Sequence, residues 1–254
     1  MSKFFQYFPK VDYKFGDEAE FNLIQNIALY ADVIDQVKNE KSAYTDYTVF
    51  ENERPDQVSF KLYGTPNHHW TFYLLNDKLR EQGWPLTNVN VLKKAKRDYP
   101  NIVLNTRSNL GSVKGFFKTG DTINGRTSGA AAKIIHRHMN LGQLVVNDIT
   151  GGPFQNGELL EMNDTLDTIR ITTVVDEYLS AHHYENVDKE YVDLGYDSAG
   201  AAIPGQLLEP GGLLTEITYL DRLHAENNNL KQIRVFKTDV IQQVVSAFRE
   251  AVAS

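Results

Sequence analysis

Apolar residues recur at three- and four-residue steps in residues 18–39, for example at Phe21, Ile24 and Ile27, and acidic residues occupy the first turn. This spacing places the apolar side chains on one face, so it predicts an amphipathic helix. Residues 44–51 alternate and are rich in β-branched and aromatic side chains, which predicts a strand. The preceding arm, residues 1–17, is aromatic-rich but follows neither period.

Residues 54–64 carry the signals of a helix with sharp ends. Pro55 suits the first helical position, and an acid in the first turn suits the helix dipole. Val58, Leu62 and Tyr63 then form one apolar stripe. Gly64 can adopt the left-handed conformation that ends a helix, so we predict that the helix stops there.

A second helix is predicted to begin directly afterwards, with Thr65 as its N-cap and Pro66 in its first position. Asn76 is predicted to end it. Residues 83–92, GWPLTNVNVL, then predict a turn followed by a short strand or extended segment.

The two faces of this second helix differ. Trp70, Tyr73 and Leu74 share one face, which predicts a core contact. His68 and Phe72 are four residues apart and are predicted to point the other way. We therefore expect His68 and Phe72 to form a face that other proteins can contact.

The C-terminal end predicts a strand in KQIRVFK and then a helix capped by Thr238. This last helix has a wide apolar stripe that includes Val244 and Phe248. So much apolar surface has to be buried, either within its own domain or against a partner.

The middle of the chain, about 108–175, is punctuated by glycine between short alternating runs, which predicts a small all-β insert. It contains a weak repeat, because Phe117-x-x-Gly120-Asp121 recurs as Phe154-x-x-Gly157-Glu158. Residues 176–194 fit either a helix or irregular structure, and residues 195–214 predict a long loop.

Composition narrows the possible functions. The net charge is −7, so the whole chain is not built to neutralise phosphate, and we expect neither nucleic acid nor membrane as a partner. Cysteine is absent, which excludes disulfides and thiolate chemistry. The N-terminus does not have the pattern of a cleaved signal peptide.

Three resemblances follow from these residues. The run YTVFENERPDQVSFKLYGTPNHHWTFYLLND with GWPLTNVNVL resembles a LysM module, with a YTV strand, a first helix ending in YG and a Thr-initiated second helix. Together with the arm FFQYFP and the tail ENNNLKQIRVFKTDVIQQVVSAF, it resembles the baseplate wedge protein called gene product 53 in T-even-type contractile phages. The insert is similar to small β-barrels in phage structural proteins.

The resemblance and the patterns together predict an α+β fold: a LysM-like βααβ module with a small all-β insert and an extended strand–helix C-terminal segment. We expect an aromatic arm and helix in residues 1–43 and the module in 44–105. The insert is expected in 106–176, and the extended loop with the final strand and helix in 177–254.

The wedge resemblance implies a structural subunit of the virion tail baseplate, assembled in the host cytoplasm. Because the sequence lacks catalytic motifs, we expect no enzymatic activity and no cofactor. It implies contacts with other wedge proteins and with neighbouring wedges in a sixfold assembly. Large aromatic and aliphatic side chains usually dominate such interfaces. The expected contact residues are Phe4, Phe5, Tyr7, Phe8, His68, Phe72, Val244 and Phe248.

Two other functions remain open. LysM modules bind N-acetylglucosamine polymers through loops that correspond here to residues 52–54 and 77–84, although the second loop is long and charged, which argues against peptidoglycan. A metal-dependent hydrolase would use the histidine pairs His68-His69, His136-x-His138 and His182-His183. None of these pairs has a third ligand at metal-binding spacing, and the chain lacks HExxH, GxSxG and P-loop motifs.

Overall fold

A computed structural model describes residues 10–14, 16, 22–25, 41–106, 117–162, 168–192 and 214–253. The chain mixes helices and sheets, as the predicted α+β class requires. It divides into two compact units, Met1–Asn88 with Glu226–Ser254, and Val89–Ala225.

The strands of the described residues follow in chain order: β1 (Lys10–Tyr13), β2 (Asn22–Gln25), β3 (Tyr44–Thr48), β4 (Ile102–Thr106), β5 (Thr122–Gly125), β6 (Ala131–His138), β7 (Gln143–Thr150), β8 (Leu159–Met162), β9 (Thr168–Asp176), β10 (Ala181–Glu185), β11 (Tyr191–Val192), β12 (Thr215–Thr218) and β13 (Gln232–Phe236). The α-helices in the same parts of the chain are α1 (Pro55–Tyr63), α2 (Trp70–Leu75), α3 (Asp77–Gln82), α4 (Asn88–Asp98), α5 (Tyr219–Lys231) and α6 (Ile241–Ala253).

The N-terminal segment contains an antiparallel pair of strands, β1 and β2. Residues 22–25 lie inside the predicted helix 18–39, so the helix prediction is wrong at these positions. The rest of that stretch lies outside the described residues. Pairing with β1 satisfies the backbone groups of β2 across the two strands, and this long-range pairing overrides a local helical period.

The first unit begins with β3 and the two predicted helices. Gly64 ends α1 in the left-handed conformation with φ 70°, as predicted. The Thr65 side chain accepts a hydrogen bond from the Asn67 amide and caps a 3-10 turn over Pro66–His68, after which α2 begins at Trp70. Asn76 follows the last residue of α2, as predicted.

In the first unit, the strand that pairs with β3 comes from the far end of the sequence. We predicted a strand or extended segment in residues 83–92, but residues 88–98 form α4. Its Val91 and Ala95 are both buried and lie four residues apart, a helical period that suits burial of one face.

The partner of β3 is β13, which pairs with it antiparallel from Gln232 opposite Thr48 to Phe236 opposite Tyr44.

The helices and this sheet enclose one apolar core in the first unit. Its members come from both ends of the sequence: Val49, Val58, Phe72, Leu79, Leu230, Ile233 and Val235. Neither stretch can bury its apolar face without the other.

The second unit contains a closed six-stranded antiparallel barrel in the order β4-β7-β6-β5-β8-β9. It has an apolar core, and closure leaves the sheet without an exposed edge. The barrel core includes Leu104, Phe117, Ile123, Ile134, Leu144, Leu160 and Ile171. The all-β insert predicted from alternating runs is therefore a barrel.

The weak sequence repeat corresponds to a repeated turn. Phe117 and Phe154 are both buried in the barrel core. The Lys118 amide donates to Asp121 Oδ2 at 2.7 Å, and the Gln155 amide donates to Glu158 Oε1 at 2.6 Å. Each turn leads directly into a strand, and these two strands, β5 and β8, are antiparallel neighbours.

After the barrel the chain forms a 3-10 turn and a three-stranded sheet in the order β11-β10-β12. Residues 176–194, which fit either a helix or irregular structure by sequence, therefore contain strands β10 and β11. The predicted loop 195–214 lies outside the described residues except for its last position.

Candidate interaction surfaces

The HHW segment is held from inside the first unit. Ser59 Oγ donates to the Thr65 carbonyl at 2.7 Å and accepts from the His68 amide at 3.2 Å. Thr71 Oγ1 donates to the His68 carbonyl at 2.7 Å. Because these bonds tighten the chain between α1 and α2, the His68 side chain turns inward and is only 7% exposed. Phe72 is fully buried in the core.

The prediction that His68 and Phe72 present a docking face is therefore wrong. The 3-10 turn before α2 shifts the helical phase, so positions that a continuous helix would expose point into the core. Trp70, expected to be buried, is only partly buried, and its ring packs 4.7 Å from that of Phe248.

Burial and the nearby charge of Arg249 lower the pKa of His68. Its Nδ1 has no hydrogen-bond partner among the described residues. His68 Nε2 lies 3.4 Å from Gln242 Nε2, which can only donate to it. The neutral imidazole therefore suits this site, and protonation would place a charge where the protein offers no acceptor.

The C-terminal stripe packs within its own unit. Phe248, Val245 and Ile241 of α6 are buried, and α6 packs against Phe236 of β13. Of the two expected contact residues on this helix, Phe248 has almost no accessible surface and Val244 remains partly exposed. Burial within the same unit therefore covers Ile241, Val245 and Phe248 of the stripe, and a contact through Val244 stays a prediction.

Two asparagine side chains connect the N- and C-terminal stretches reciprocally. Asn76 Oδ1 accepts from the Arg234 amide, and Asn76 Nδ2 donates to the Arg234 carbonyl, both at 2.8 Å. In the other direction, Asn227 Oδ1 accepts from the Leu86 amide at 2.7 Å and its Nδ2 donates to the Leu86 carbonyl at 2.9 Å. Each side-chain amide thus bonds to both the N–H and the C=O of one residue in the other stretch, as a neighbouring β-strand would. We call these two contacts the asparagine clamps.

The aromatic arm residues Phe4, Phe5, Tyr7 and Phe8 lie outside the described residues, so their contacts stay predictions. Two other phenylalanines of the first unit are exposed instead: Phe50 at 61% and Phe60 at 62%. The Lys61 ammonium lies 4.9 Å from the centre of the Phe50 ring and 3.0 Å from Glu53 Oε1.

Sequence reasoning missed Phe50 and Phe60, although the signal was present for Phe60. It falls outside the apolar stripe of α1, and a large apolar side chain off the buried face has to be exposed. Such residues indicate an interaction surface when they lie together.

The two candidate sugar-binding loops are occupied by the protein's own contacts. Trp84 Nε1 donates to the Glu53 carbonyl at 2.7 Å and joins them. Most of the second loop is helix α3, where Arg80 pairs with Asp77 and donates to the Tyr73 carbonyl. The polar groups named here are thus already hydrogen-bonded within the module.

The pair His182-His183 lies at a β-bulge, which lets the rings of adjacent residues meet. Arg222 Nη1 lies 2.8 Å from His182 Nε2, and a guanidinium can only donate. His182 Nδ1–H therefore donates to His183 Nδ1 at 2.9 Å, and His183 Nε2–H to Glu185 at 3.2 Å. All four ring nitrogens are engaged in one directional chain.

No group of three His, Asp or Glu residues in the described parts of the chain is arranged to hold a metal ion. The possible phosphate cradle at Thr127-Ser128-Gly129 is filled by the protein itself. The amides of Thr127 and Ser128 donate to Glu158 Oε2 at 3.2 and 3.0 Å. Burial raises the pKa of Glu158, but these bonds and that from the Gln155 amide outweigh it and lower the pKa overall.

No protein-family model matches the sequence, and no curated protein matches it significantly. Among the described residues, no helix has the length and apolar character needed to cross a membrane.

Proposed function

We propose that this chain is a structural subunit of the baseplate wedge of a contractile phage tail, where it joins neighbouring wedge proteins. One observation supports the proposal most strongly. The two stretches that resemble the gene product 53 family are far apart in sequence, yet they build one core and are connected by the asparagine clamps across as many as 158 positions.

The part that departs from the resemblance, the barrel, belongs to a different compact unit. A resemblance confined to two separated stretches is expected if those stretches form one ancestral module. The insertion is physically acceptable because the entropic cost of a longer loop grows only slowly with its length.

We further propose that this module is LysM-like. Strand β3, helices α1 and α2, and the returning β13 follow the strand–helix–helix–strand order. In this chain the closing strand comes from the C-terminal stretch and not from residues 83–92, and α3 follows α2 directly.

The side chains proposed for wedge contacts are Phe50 and Phe60, which are 61% and 62% exposed. Burying one aromatic side chain removes about 150–250 Å² from water, and apolar burial contributes about 25 cal/mol per Å². Two exposed phenylalanines can therefore contribute several kcal/mol to an interface, as aromatic anchors commonly do. The aromatic arm and Val244 remain predicted additional contacts, and several weak contacts on one chain reinforce each other.

The test is affinity capture of the tagged full-length protein from phage-infected cells, with bound proteins quantified by mass spectrometry. We expect other baseplate subunits in fixed stoichiometry, and a marked loss with the Phe50→Ser/Phe60→Ser double variant. Val187→Ser is the control, because Val187 is 72% exposed but lies in the second unit.

Tryptophan fluorescence of each variant checks that the first unit is folded. Capture of cell-wall fragments without tail proteins, reduced by changes in residues 77–84, would replace the wedge proposal with peptidoglycan binding. Stoichiometric zinc in the purified protein would instead favour the hydrolase.

A further inference from the structure

The antiparallel pair of strands β3 and β13 in the first unit has two outer edges. On the edge of β13, Asn76 bonds to both the N–H and the C=O of Arg234, and the Tyr63 hydroxyl donates to the Phe236 carbonyl at 2.9 Å. These side chains satisfy backbone groups that would otherwise be open to an added strand. At these two residues the protein itself therefore covers the edge of β13.

The outer edge of β3 differs, because its backbone groups lack partners. The Val49 amide donates to the Lys231 carbonyl at 2.8 Å, and this bond fixes the alternation along the antiparallel pair. Since hydrogen-bonded positions alternate, the N–H and C=O groups of Asp46 and Thr48 point away from β13. Within the described parts of the chain, these groups form no hydrogen bond, and β3 has no neighbouring strand other than β13.

Strand β3 is accessible along this edge. Thr45, Asp46 and Thr48 are exposed, and β3 pairs with β13 without a register shift. The strand contains neither Pro nor Lys, the residues that commonly protect an open edge. An edge of this kind accepts an extended segment of another chain through main-chain hydrogen bonds, a mode known as β-augmentation.

The single charge on the strand determines which segment fits. No Lys or Arg among the described residues forms an ion pair with Asp46. Arg234 lies directly opposite Asp46 in β13, but its guanidinium lies over the Tyr44 ring, 5.2 Å from the ring centre. Residues directly opposite each other in neighbouring strands point to the same face, so a basic residue opposite Asp46 in an added strand would meet this carboxylate.

A second copy of this chain fits the edge less well. Antiparallel self-pairing with Tyr44 opposite Thr48 brings the two Asp46 residues directly opposite each other, where like charges are destabilising. A shift that places Asp46 opposite Thr48 still leaves both carboxylates on one face as diagonal neighbours. The net charge of −7 on each chain adds to this repulsion. A basic strand of a different protein avoids all three costs.

We propose that the open edge of β3 binds an extended strand of another protein, paired antiparallel, with a Lys or Arg opposite Asp46. The main-chain groups of Asp46 and Thr48 supply the hydrogen bonds. The residues on either side of the basic one lie beside Thr45 and Tyr47, where β-branched side chains pack well on a neighbouring strand. The inference does not rest on the wedge function, because it concerns the mode of contact and a defined peptide tests it without any phage protein.

The test uses the full chain and the acetylated, amidated peptide Thr-Val-Lys-Val-Thr, with affinity measured by fluorescence polarisation and hydrogen exchange followed at each amide by NMR. In the free protein, the Asp46 and Thr48 amides should exchange quickly, whereas those of Tyr47 and Val49, which face β13, should exchange slowly. We expect saturable binding of the peptide, and slower exchange at Asp46 when it is bound. Slower exchange there distinguishes an added strand from a contact between side chains alone.

Peptide variants test the two parts of the proposal separately. Replacing the central Lys by Glu should weaken binding about threefold or more, since it exchanges an opposite-charge pair for a like-charge pair. Asp46→Asn in the protein should remove most of this difference between the two peptides. Methylation of the backbone nitrogen of the central Lys should abolish binding, because it removes the donor to the Asp46 carbonyl.

The protein variant Thr48→Pro removes an outward N–H and leaves the bonds between β3 and β13 in place, so we expect a folded unit that binds the peptide weakly. Thr48→Ala is the matched control, because it loses the same hydroxyl bond to Gln232 but keeps the N–H. Tryptophan fluorescence checks folding, and if Thr48→Pro does not fold, the methylated peptide decides the question.

Four results would overturn the proposal: no saturable binding, equal binding of the Lys and Glu peptides, equal binding of the methylated peptide, or binding without slower exchange at Asp46. Sedimentation of the free chain tests the remaining occupant. A monomer is expected, and a dimer that Thr48→Pro dissociates and Thr48→Ala preserves would assign the edge to a second copy in place of a basic partner strand.

Discussion

The asparagine clamps allow a quantitative test of how the two stretches form one unit. In Asn76→Ala, the amide and carbonyl of Arg234 each lose a bond of 2.8 Å. The Phe72 carbonyl also loses the Asn76 side chain but keeps its bond to the Asn76 amide at 3.2 Å. The two bonds to Arg234 contribute a net of about 0.5–1.5 kcal/mol each, so we expect the free energy of unfolding of the first unit to fall by about 2 kcal/mol.

Tryptophan fluorescence measures this unit selectively, because the protein's 2 tryptophans, Trp70 and Trp84, both belong to it. In a urea titration, a loss of about 2 kcal/mol should lower the midpoint by about 1 M, given the usual slopes of about 1–3 kcal/mol/M. Asn76→Asp should cost at least as much, because a carboxylate would face two carbonyl oxygens in place of the amide donor.

Asn67→Ala is the control, since Asn67 is exposed and its side chain makes no described hydrogen bond. Surface changes of that kind usually stay within about 0.5 kcal/mol. If Asn76→Ala shifted the urea midpoint no more than this control, the bonds between the Asn76 side chain and the Arg234 backbone would not stabilise the unit, and the reasoning would be refuted.

Three further predictions concern single residues. Because the pKa of His68 is lowered in the folded state, the unfolded chain binds more protons, so the free energy of unfolding of the first unit should fall as the pH drops below about 6.5. In urea titrations at several pH values, His68→Gln should reduce this pH dependence. Glu158→Gln should destabilise the barrel by about 1–3 kcal/mol at pH 7 and speed hydrogen exchange at the Thr127 and Ser128 amides. In the wild type, the contribution of Glu158 should be lost only as the pH falls through its lowered pKa. Gly64→Ala should cost about 1–2 kcal/mol by the fluorescence assay, because φ is 70° there.

Local rules were sufficient where a feature depends on neighbours in sequence. The start and end of α1 at Pro55 and Gly64 and the cap at Thr65 were predicted correctly because these are properties of a few consecutive residues. The barrel was predicted as an all-β segment for the same reason, since alternation and glycine punctuation are visible within each strand.

Local rules failed where long-range contacts decide the outcome. The helix predicted across residues 22–25 is a strand because β1 supplies the hydrogen bonds. The inward turn of His68 and Phe72 follows from a 3-10 segment held by Ser59, a residue of another helix. The sequence pattern contains no information about either contact.

The sequence alone determined where the helix next to the capping and turn residues begins and ends. Only the tertiary structure decided that β13 pairs with β3, that Asn76 and Asn227 bond to the backbone of the other stretch, and that Gln143 Oε1 has no hydrogen-bond partner among the described residues. The physical reason is that buried polar groups need hydrogen-bond partners and apolar faces must be covered. For groups as far apart in sequence as Asn76 and Arg234, 158 positions, only the tertiary fold determines which of them meet.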